Sequence, residues 1–414
     1  MQTRRLRATA LLVALVAAVV APAASAHPAR DERPGAPALD LEVLVTPPVD
    51  DQLTPGGLDA DIAVDAFGTR TAVARKELPV SPDPRAPRPV RSASWRWASI
   101  DRGDSWDNLD ALPLRADLLL PEGGSVAVAA AGARTVLVED QGGVVRVQSL
   151  LATGLGRLTA ATPGVVPTVT SRPVDVAVRG QRVVLLAGSP TGAFAVYRSG
   201  DGGTTFSAGV PLQSTSACRL AVDPRAAAAV VVAACAQGTD LFLDVSTDDG
   251  ASFVRRRVGG VDQRDPASVP SVDIAPDGRI AVLSGMRLST SPDLGRRWTS
   301  QDLQIEPGDY RSTSLAVSPR GRVGVAAYRR TAPGGPWTVV TTILTPGSRP
   351  VLSDFASHSP VAPQGAATPP SSRTALDFGA DGRMQLVWTS TYLQSENLNR
   401  PLLRNVWSIR SNST

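Results

Sequence analysis

Short runs of alternating apolar and polar residues, paired around a turn, recur along the whole chain. Alternation with a period of two is typical of strands that bury one face. Connectors such as Asp277–Gly278 and Asp381–Gly382 are typical of two-residue hairpin turns. Seven such pairs occur, and they start at Asp61, Val126, Val174, Cys218, Val272, Ser314 and Ala375. The pattern therefore predicts an all-β chain that contains seven hairpins.

A second pattern, Ser-x-Asp-x-Gly-x-x-aromatic, occurs four times. Its fixed positions are Ser99, Asp101, Gly103 and Trp106; Ser199, Asp201, Gly203 and Phe206; Ser246, Asp248, Gly250 and Phe253; and Ser291, Asp293, Gly295 and Trp298. Ser and Asp side chains can bond nearby backbone N–H groups and hold a tight turn, and glycine adopts a backbone conformation that side chains resist. The closing aromatic can pack between paired strands and fix their register. We therefore expect each octapeptide to connect two antiparallel strands.

The spacing of the octapeptides predicts one repeated architecture. Their aspartates are 100, 47 and 45 residues apart, so the first interval spans two repeats and one repeat lacks the octapeptide. Repeats of four short strands predict a β-propeller with about seven four-stranded blades, or six if one hairpin is an insertion. The last blade ends after Leu403–Arg410, and the unpaired run Leu39–Val45 is expected to supply its fourth strand and close the ring. The Pro-rich segment 357–373 is predicted to be a linker or loop.

The start of the chain has the organisation of a secretory signal peptide. Arg4, Arg5 and Arg7 precede an apolar run over 8–21, and Ala24-Ser25-Ala26 forms a small-x-small cleavage site. A charged start, a short apolar stretch and such a site together predict export and cleavage before His27. The arginine pair leaves the general secretory and the twin-arginine routes open as alternatives.

This interpretation divides the chain into three parts. Residues 1–26 are expected to be the signal peptide, residues 27–38 a linker, and residues 39–414 a single propeller domain. No second apolar stretch approaches the length of a membrane helix, so we expect no membrane span. The mature protein is expected to be secreted, either extracellular or associated with the cell envelope, and monomeric.

Charge and composition narrow the function classes. Removing the leader takes away three arginines and lowers the formal net charge from +4 to +1. No basic stripe with interleaved aromatics is visible, so we expect no nucleic-acid partner. The chain has two histidines, His27 and His358, without partners at metal-ligand spacing, and we expect neither a metal nor a cofactor. A single lysine, Lys76, among many arginines suggests a GC-rich bacterial genome.

The two cysteines lie in one predicted hairpin. Folding that hairpin about the midpoint between Ala226 and Ala227 places Cys218 opposite Cys235. In an exported protein this arrangement predicts a cross-strand disulfide. Two buried free thiols are the alternative.

The four octapeptides resemble the BNR/Asp-box repeats of the sialidase superfamily, and the repeat covers nearly the whole mature chain. The resemblance implies a propeller whose boxes lie on the face away from the substrate site. For a retaining sialidase it also implies an arginine triad, a tyrosine nucleophile paired with a glutamate, and an acid/base aspartate. The family has its first arginine in an Arg-Ile-Pro motif, whereas the matching stretch here, Gly57–Val64, contains no arginine.

Several residues at the predicted starts of inner strands are candidates for a ligand site. Arg172, Arg311 and Arg373 stand directly before such strands or within three residues of them, and Glu306 and Tyr310 accompany Arg311. In a propeller these positions open on the central channel, where ligands usually bind. They could form a site for a carboxylated or sulfated sugar; alternatively, the arginines are solvated surface residues.

The sequence alone favours binding over catalysis. Because the first family arginine is missing and glutamates are scarce, we expect a secreted propeller that binds a glycan, a peptide or a cell-envelope component at its channel face. The alternatives are an exo-acting glycoside hydrolase of the sialidase type and an envelope assembly factor. The catalytic residues of such an enzyme are not identified by the sequence.

Overall fold

A computed structural model describes most of the propeller region. It describes residues 26–27, 42–44 and 57–411 apart from these gaps: 80–89, 109–118, 121–124, 141–142, 154–156, 161–162, 168–173, 190–192, 215–217, 226, 265–268, 304–306, 346–355, 363–368, 370–372 and 391–404. The described residues form strands and turns and contain no α-helix, so none of them belongs to a helix that could cross a membrane.

Within the described ranges, thirty-one strands form seven antiparallel sheets, which are the blades. Blade 1 contains β3 (Gly57–Val64), β4 (Arg70–Pro79), β5 (Val90–Ser99), β6 (Asp107–Asn108) and β7 (Leu119–Leu120). Blade 2 contains β8 (Val126–Ala131), β9 (Arg134–Asp140), β10 (Val144–Thr153), β11 (Arg157–Ala160) and β12 (Gly164–Pro167). Blade 3 contains β13 (Asp175–Arg179), β14 (Arg182–Gly188), β15 (Phe194–Ser199) and β16 (Val210–Pro211). Blade 4 contains β17 (Cys218–Val222), β18 (Val231–Gln237), β19 (Asp240–Ser246) and β20 (Val254–Gly260). Blade 5 contains β21 (Ser271–Ile274), β22 (Ile280–Ser284), β23 (Arg287–Ser291) and β24 (Thr299–Asp302). Blade 6 contains β25 (Asp309–Val317), β26 (Val323–Arg330), β27 (Trp337–Leu344) and β28 (Ala356–Ala362). Blade 7 contains β29 (Ala375–Phe378), β30 (Met384–Ser390), β31 (Asn405–Arg410), β2 (Glu42–Leu44) and β1 (Ala26–His27).

The protein is therefore a seven-bladed β-propeller, and the alternative of six blades is excluded. All seven predicted hairpins form the first two strands of a blade. The inner strands β3, β8, β13, β17, β21, β25 and β29 surround a central channel, and each contacts the next around the ring, including β29 with β3.

The ring is closed by a strand from the start of the chain, as predicted. Val43 and Leu44 of β2 pair with Ser408 and Trp407 of β31, so the last blade combines both ends of the described chain. The observed strand is shorter than the predicted run, and β1 pairs with its outer side. Closure pairs a strand edge of blade 7 that would otherwise be open to another chain.

The hydrophobic core lies between the blades. Each of seven clusters of buried apolar side chains spans two neighbouring sheets. Trp97, Trp337 and Trp388 are among the largest fully buried side chains. Since a fully buried large apolar side chain contributes about 1.5–3 kcal/mol, stability depends on every blade having both of its neighbours.

Buried polar groups also join neighbouring blades. Arg96 of blade 1 forms a buried ion pair with Glu139 of blade 2, and Arg70 of blade 1 donates from Nε to Gln385 Oε1 of blade 7 at 2.7 Å. Burial lowers the pKa of Arg70 to about 10, with the nearby positive charge of Arg410 acting in the same direction. A buried guanidinium is tolerated when its N–H groups are hydrogen-bonded.

The cysteine hairpin has the predicted register. Cys218 of β17 lies directly opposite Cys235 of β18, and the two form a disulfide in which both residues are fully buried. The alternative of two free thiols is excluded.

The four octapeptides form nearly identical turns between the third and fourth strands of blades 1, 3, 4 and 5. In the third copy, Ser246 Oγ donates to Asp248 Oδ1 at 2.6 Å and accepts from the Gly250 N–H at 2.7 Å. Asp248 also accepts from the N–H and hydroxyl of Ser252 at 2.9 and 2.6 Å. Gly250 has a φ of 81°, in the left-handed region that favours glycine. Local hydrogen bonds therefore hold the turn, as the residue types predicted.

The closing aromatics pack differently from the prediction. Trp106, Phe206, Phe253 and Trp298 each lie against the cluster that joins their own blade to the preceding one. They fill the space between two sheets, instead of the space between paired strands of one sheet, because that is where the turn returns to the core.

Two further expectations need correction. Part of the Pro-rich segment predicted as a loop is strand β28, whose pairing with β27 shifts register twice, and Pro360 lies opposite Thr338 between the two shifts. An edge strand with such irregularities can include a proline although its backbone cannot donate. The connectors at Asp277–Gly278 and Asp381–Gly382 are also longer than two residues. Gly278, with φ 86°, donates to the Ala275 carbonyl, and Gly382, with φ 78°, donates to the Gly379 carbonyl, as in three-residue hairpin loops.

Candidate functional site

The central channel encloses about 560 Å³ and is lined by inner strands of all seven blades. Contacts between neighbouring strands define its two ends. At one end, Arg373 reaches Asp61 and Ser314 reaches Thr374. At the other end lie the hairpin turns, where Arg225 reaches the Asp277 carbonyl. We call the end formed by the starts of the inner strands the channel mouth.

The octapeptide turns lie at the hairpin end. Gly202, in the second octapeptide, donates its N–H to the Gln181 carbonyl in the hairpin turn of the same blade, at 2.8 Å. Asp249, in the third octapeptide, donates its N–H to the Ala229 carbonyl in the hairpin turn of blade 4, also at 2.8 Å. These turns are therefore separated from the channel mouth by the length of the inner strands.

Arginine, aspartate and hydroxyl side chains lie together at the channel mouth. Arg373 Nη2 lies 2.8 Å from Asp61 Oδ1, and Arg219 Nη1 donates to the Val174 carbonyl at 3.3 Å. Ser271 donates to the Thr313 carbonyl at 3.4 Å. The mouth thus combines donors and acceptors supplied by six different blades.

Four channel aspartates hold neighbouring inner strands together. Each accepts a backbone N–H from the next blade in the ring: Asp61 from Val128 at 3.0 Å, Asp175 from Leu220 at 2.7 Å, Asp273 from Val317 at 2.7 Å, and Asp377 from Val64 at 2.8 Å. The carboxylates come from blades 1, 3, 5 and 7, so they connect alternate pairs of blades. A carboxylate that accepts backbone N–H groups is held in one orientation.

Confinement in the channel raises the pKa of three of these carboxyl groups. Burial raises the pKa of Asp273 to about 6 although the Val317 and Ile274 N–H groups act against it. Burial also raises the pKa of Asp377 to about 7, and the charges of Asp273 and Asp61 add to the effect. For Asp175, burial raises the pKa, and the positive charges of Arg219 and Arg373 oppose the rise.

The backbone is irregular at the channel mouth. The pairing register shifts between Leu58 and Asp61 in blade 1 and between Arg311 and Ser314 in blade 6. Ser312 lies inside the second irregularity with a φ of 54°, and its carbonyl accepts both the N–H and the hydroxyl of Thr374, at 3.2 and 2.9 Å. Bulges and strained non-glycine residues are over-represented next to binding sites, where they re-aim side chains.

The predicted site residues are only partly brought together. Arg373 lines the channel, whereas Arg311 and Tyr310 lie on blade 6 outside the channel lining. Arg311 Nε contacts Asp309 Oδ1 at 2.7 Å. The guanidinium carbon of Arg329 lies over the ring of Tyr310, 5.7 Å from the ring centre. Arg172 and Glu306 lie outside the described residues, so their contribution stays a prediction.

Asp61, Asp175, Asp273, Asp377 and Arg219 line the channel and were not among the sequence candidates. A usable signal did exist, because each of these polar residues interrupts or begins an apolar inner strand, as in Val174-Asp175-Val176. Within the part of the chain that the structure describes, no three His, Cys, Asp or Glu side chains are grouped so that they could hold a metal ion.

Comparisons with known proteins reveal similarity in structure. No family model matches the chain, and no curated protein sequence matches it significantly. Among solved structures, an α-L-arabinanase from Penicillium chrysogenum aligns with a TM-score of 0.44 and 14% identity over 70% of this chain and 94% of that one. A NanB sialidase mutant from Streptococcus pneumoniae aligns with a TM-score of 0.44 and 11% identity over 89% and 71%, respectively. A protein of unknown function from Dyadobacter fermentans aligns with a TM-score of 0.43 and 14% identity over 89% and 97%.

Proposed function

We propose that the protein binds a carbohydrate at the channel mouth and does not cleave it. The observation that carries this proposal is the row of fixed donors and acceptors around the mouth, with Arg373 and Asp61 2.8 Å apart. A sugar hydroxyl donates one hydrogen bond and accepts others. Adjacent guanidinium and carboxylate groups therefore match neighbouring hydroxyls of one sugar ring.

The shape of the site supports the same ligand class. A concave site with a few oriented polar groups on an otherwise apolar wall is typical of small-ligand sites. Below the mouth, the channel is lined by small and medium apolar residues such as Ala63, Ala177, Ala221 and Leu315. Apolar wall and polar rim together suit a hydroxylated ligand that enters end-on.

The channel carboxylates argue against cleavage. Glycoside hydrolysis usually needs one carboxylic acid that reaches the leaving oxygen and a second carboxylate that attacks or activates water. Both oxygens of Asp377 already accept N–H groups, from Phe378 at 2.7 Å and Val64 at 2.8 Å. Asp273 is engaged in the same way by Ile274 and Val317. Their raised pKa values follow from burial and do not require a catalytic role.

The test is binding of the purified protein to an array of neutral and acidic oligosaccharides, followed by calorimetry on the glycans that bind. Arg373→Ala should weaken binding by about tenfold or more, as for truncation of a central arginine contact. Arg257→Ala is the matched control. Arg257 lies on β20, the outermost strand of its blade, forms an ion pair with Asp240, and has a side chain that is 68% exposed.

Two results would contradict the proposal. If no glycan binds, carbohydrate recognition is wrong. If fluorogenic glycosides, including sialosides, are hydrolysed and Arg373→Ala abolishes turnover, the protein is a glycosidase and the non-catalytic interpretation is wrong.

We also propose that the protein is exported. The leader-like segment at 1–26 supports export, and the buried disulfide between Cys218 and Cys235 is of a kind that persists in oxidising compartments. N-terminal sequencing of the protein from culture supernatant or envelope fractions should begin at His27. Recovery in the cytoplasm with Met1 intact and the cysteines reduced would contradict it.

A further inference from the structure

We infer that the carbohydrate bound at the channel mouth is uncharged, and that the mouth discriminates against sugars that carry carboxylate or sulfate groups. This inference rests on the proposed function, because it specifies the ligand class of the same site. It reverses the expectation that arginines at the inner strands would attract an acidic sugar.

The first reason is the environment of Arg373. Its guanidinium already contacts Asp61, whose side chain is 7% exposed. Asp61 also accepts the N–H groups of Ile62 and Val128, both at 3.0 Å, so its carboxylate cannot swing away. An anionic ligand group on Arg373 would therefore lie beside a fixed negative charge.

The second reason is the environment of Arg219. The charges of Arg219 and Arg373 both act on the buried carboxyl group of Asp175, so these two arginines face at least two aspartates. Arg219 is further engaged through the Val174 carbonyl at 3.3 Å. A ligand carboxylate would have to compete with these acceptors for the same N–H groups.

The third reason lies deeper in the channel. Within the described part of the chain, no cation forms an ion pair with Asp273 or Asp377. The other two arginines of the channel lining lie at the hairpin end, where Arg179 pairs with Asp249 and Arg225 with Asp223. Among the described residues on the ligand side of the channel, the guanidinium groups of Arg219 and Arg373 are thus matched by the carboxyl groups of Asp61 and Asp175. An added ligand anion would be repelled by the carboxylates that are ionised.

An uncharged polyhydroxylated ligand avoids this repulsion. Its hydroxyls can accept from Arg219 and Arg373 while donating to Asp61, without displacing the ion pair between Arg373 and Asp61. The ion pair between Arg373 and Asp61 then orients the sugar. An acidic sugar would lose the hydration of its charged group without gaining a free cation to pair with, and this difference gives the specificity.

The experiment compares neutral sugars with their acidic counterparts. Cellotriose, maltotriose and galactotriose, and the form of each oxidised to uronic acid at C6, are titrated into the full-length protein by calorimetry. The preferred neutral trisaccharide should bind about tenfold or more tightly than its uronic acid form. Its Kd should change by less than about twofold between low and high NaCl concentrations, because no net charge is neutralised on binding.

Asp61→Asn provides the variant test. Removing the fixed negative charge leaves Arg373 open to a ligand anion, so the ratio between neutral and acidic sugar should fall towards one. Arg257→Ala again serves as the control and should leave the ratio unchanged. If Asp61→Asn does not fold, the comparison on the wild-type protein still decides.

The outcomes separate the two proposals. A uronic acid form that binds as tightly as its neutral counterpart, or more tightly, overturns the inference and leaves carbohydrate binding intact. Absence of binding by all six sugars and by the glycan array overturns the proposed function, and the inference with it.

Discussion

At the scale of single residues, the channel aspartates have a structural role that depends on their ionisation. They connect alternate pairs of blades through backbone N–H groups, and burial disfavours the charged form of Asp175, Asp273 and Asp377. Asp273 and Asp377 accept only backbone N–H groups in the described structure. Such groups make the stability of the ring depend on pH.

Stability should increase when the pH falls from 8 to about 5. The pKa values of Asp273 and Asp377 are raised to about 6 and about 7 in the folded protein, whereas the unfolded chain has values near 3.9. The folded state therefore binds these protons more tightly, and its advantage is fully present below the unfolded pKa and is lost as the pH rises through the folded pKa. Urea unfolding at pH 8, 6.5 and 5 measures this.

The rise should end at lower pH. Hydrogen bonds from Ser246 and Ser252 hold the pKa of Asp248 at about 2, so the stability that this group contributes is lost as the pH falls through that range.

Asp377→Asn should reduce the slope of the free energy of unfolding against pH between pH 8 and 6. A stability that is constant or higher at pH 8 than at pH 5 would contradict the role of the channel acids.

The octapeptide serine should matter more than its exposed neighbour. Ser246→Ala removes the acceptor of the buried Gly250 N–H, and an unsatisfied buried N–H costs about 1–3 kcal/mol. The control is Ser252→Ala, which removes an exposed hydroxyl and should cost less than about 0.5 kcal/mol. Urea unfolding compares the two, and equal losses would show that the Gly250 contact is unimportant.

At the scale of elements, the hairpin pattern was predicted well because it depends on neighbours in sequence. The pairing of Cys218 with Cys235 follows from the position of the turn alone. Strand β28 was missed because its prolines resemble a loop signal, and its pairing with β27 depends on a sheet edge that the local sequence does not reveal. Local patterns thus identify hairpins more reliably than outer strands.

The disulfide should stabilise the fourth blade measurably. The cysteines are 17 residues apart, and closing a loop of this length contributes about 3 kcal/mol in the chain-entropy account. Cys218→Ala with Cys235→Ala should lower the free energy of unfolding by about that amount, with a further loss from the small cavity that remains. The control is the wild-type protein unfolded under reducing conditions. If the double variant unfolds at the same denaturant midpoint as the oxidised wild-type protein, the disulfide does not make this contribution.

At the scale of the whole molecule, stability is shared around a closed ring. Each hydrophobic cluster belongs to two blades, including the cluster that joins blade 7 to blade 1 through Val387 and Trp97. Opening the ring at blade 7 would expose both apolar surface and an unpaired strand edge. The N-terminal strand is therefore a small element with a large effect.

Breaking the closing strand should destabilise the molecule and promote association. Val43→Pro introduces a residue without an N–H into β2, which pairs with β31 at Ser408, and proline inside a paired strand removes a ladder bond. We expect a lower Tm and the appearance of oligomers in size-exclusion chromatography with light scattering. Ala36→Pro, at a position between β1 and β2 in the sequence, is the control; equal Tm values for the two variants would contradict closure by β2.

The sequence by itself determined the repeat, the hairpins, the disulfide and the chemistry of the turns, because each depends on residues within one blade. It also indicated that the two ends of the chain meet, since one blade lacked a strand and one strand lacked a partner. The composition of the channel mouth was decided only by the tertiary structure. Arg373 meets Asp61 across 312 positions of sequence, and Asp377 meets the Val64 N–H across 313. Closure of the ring creates those contacts, and no local pattern encodes which carboxylate will neutralise which arginine.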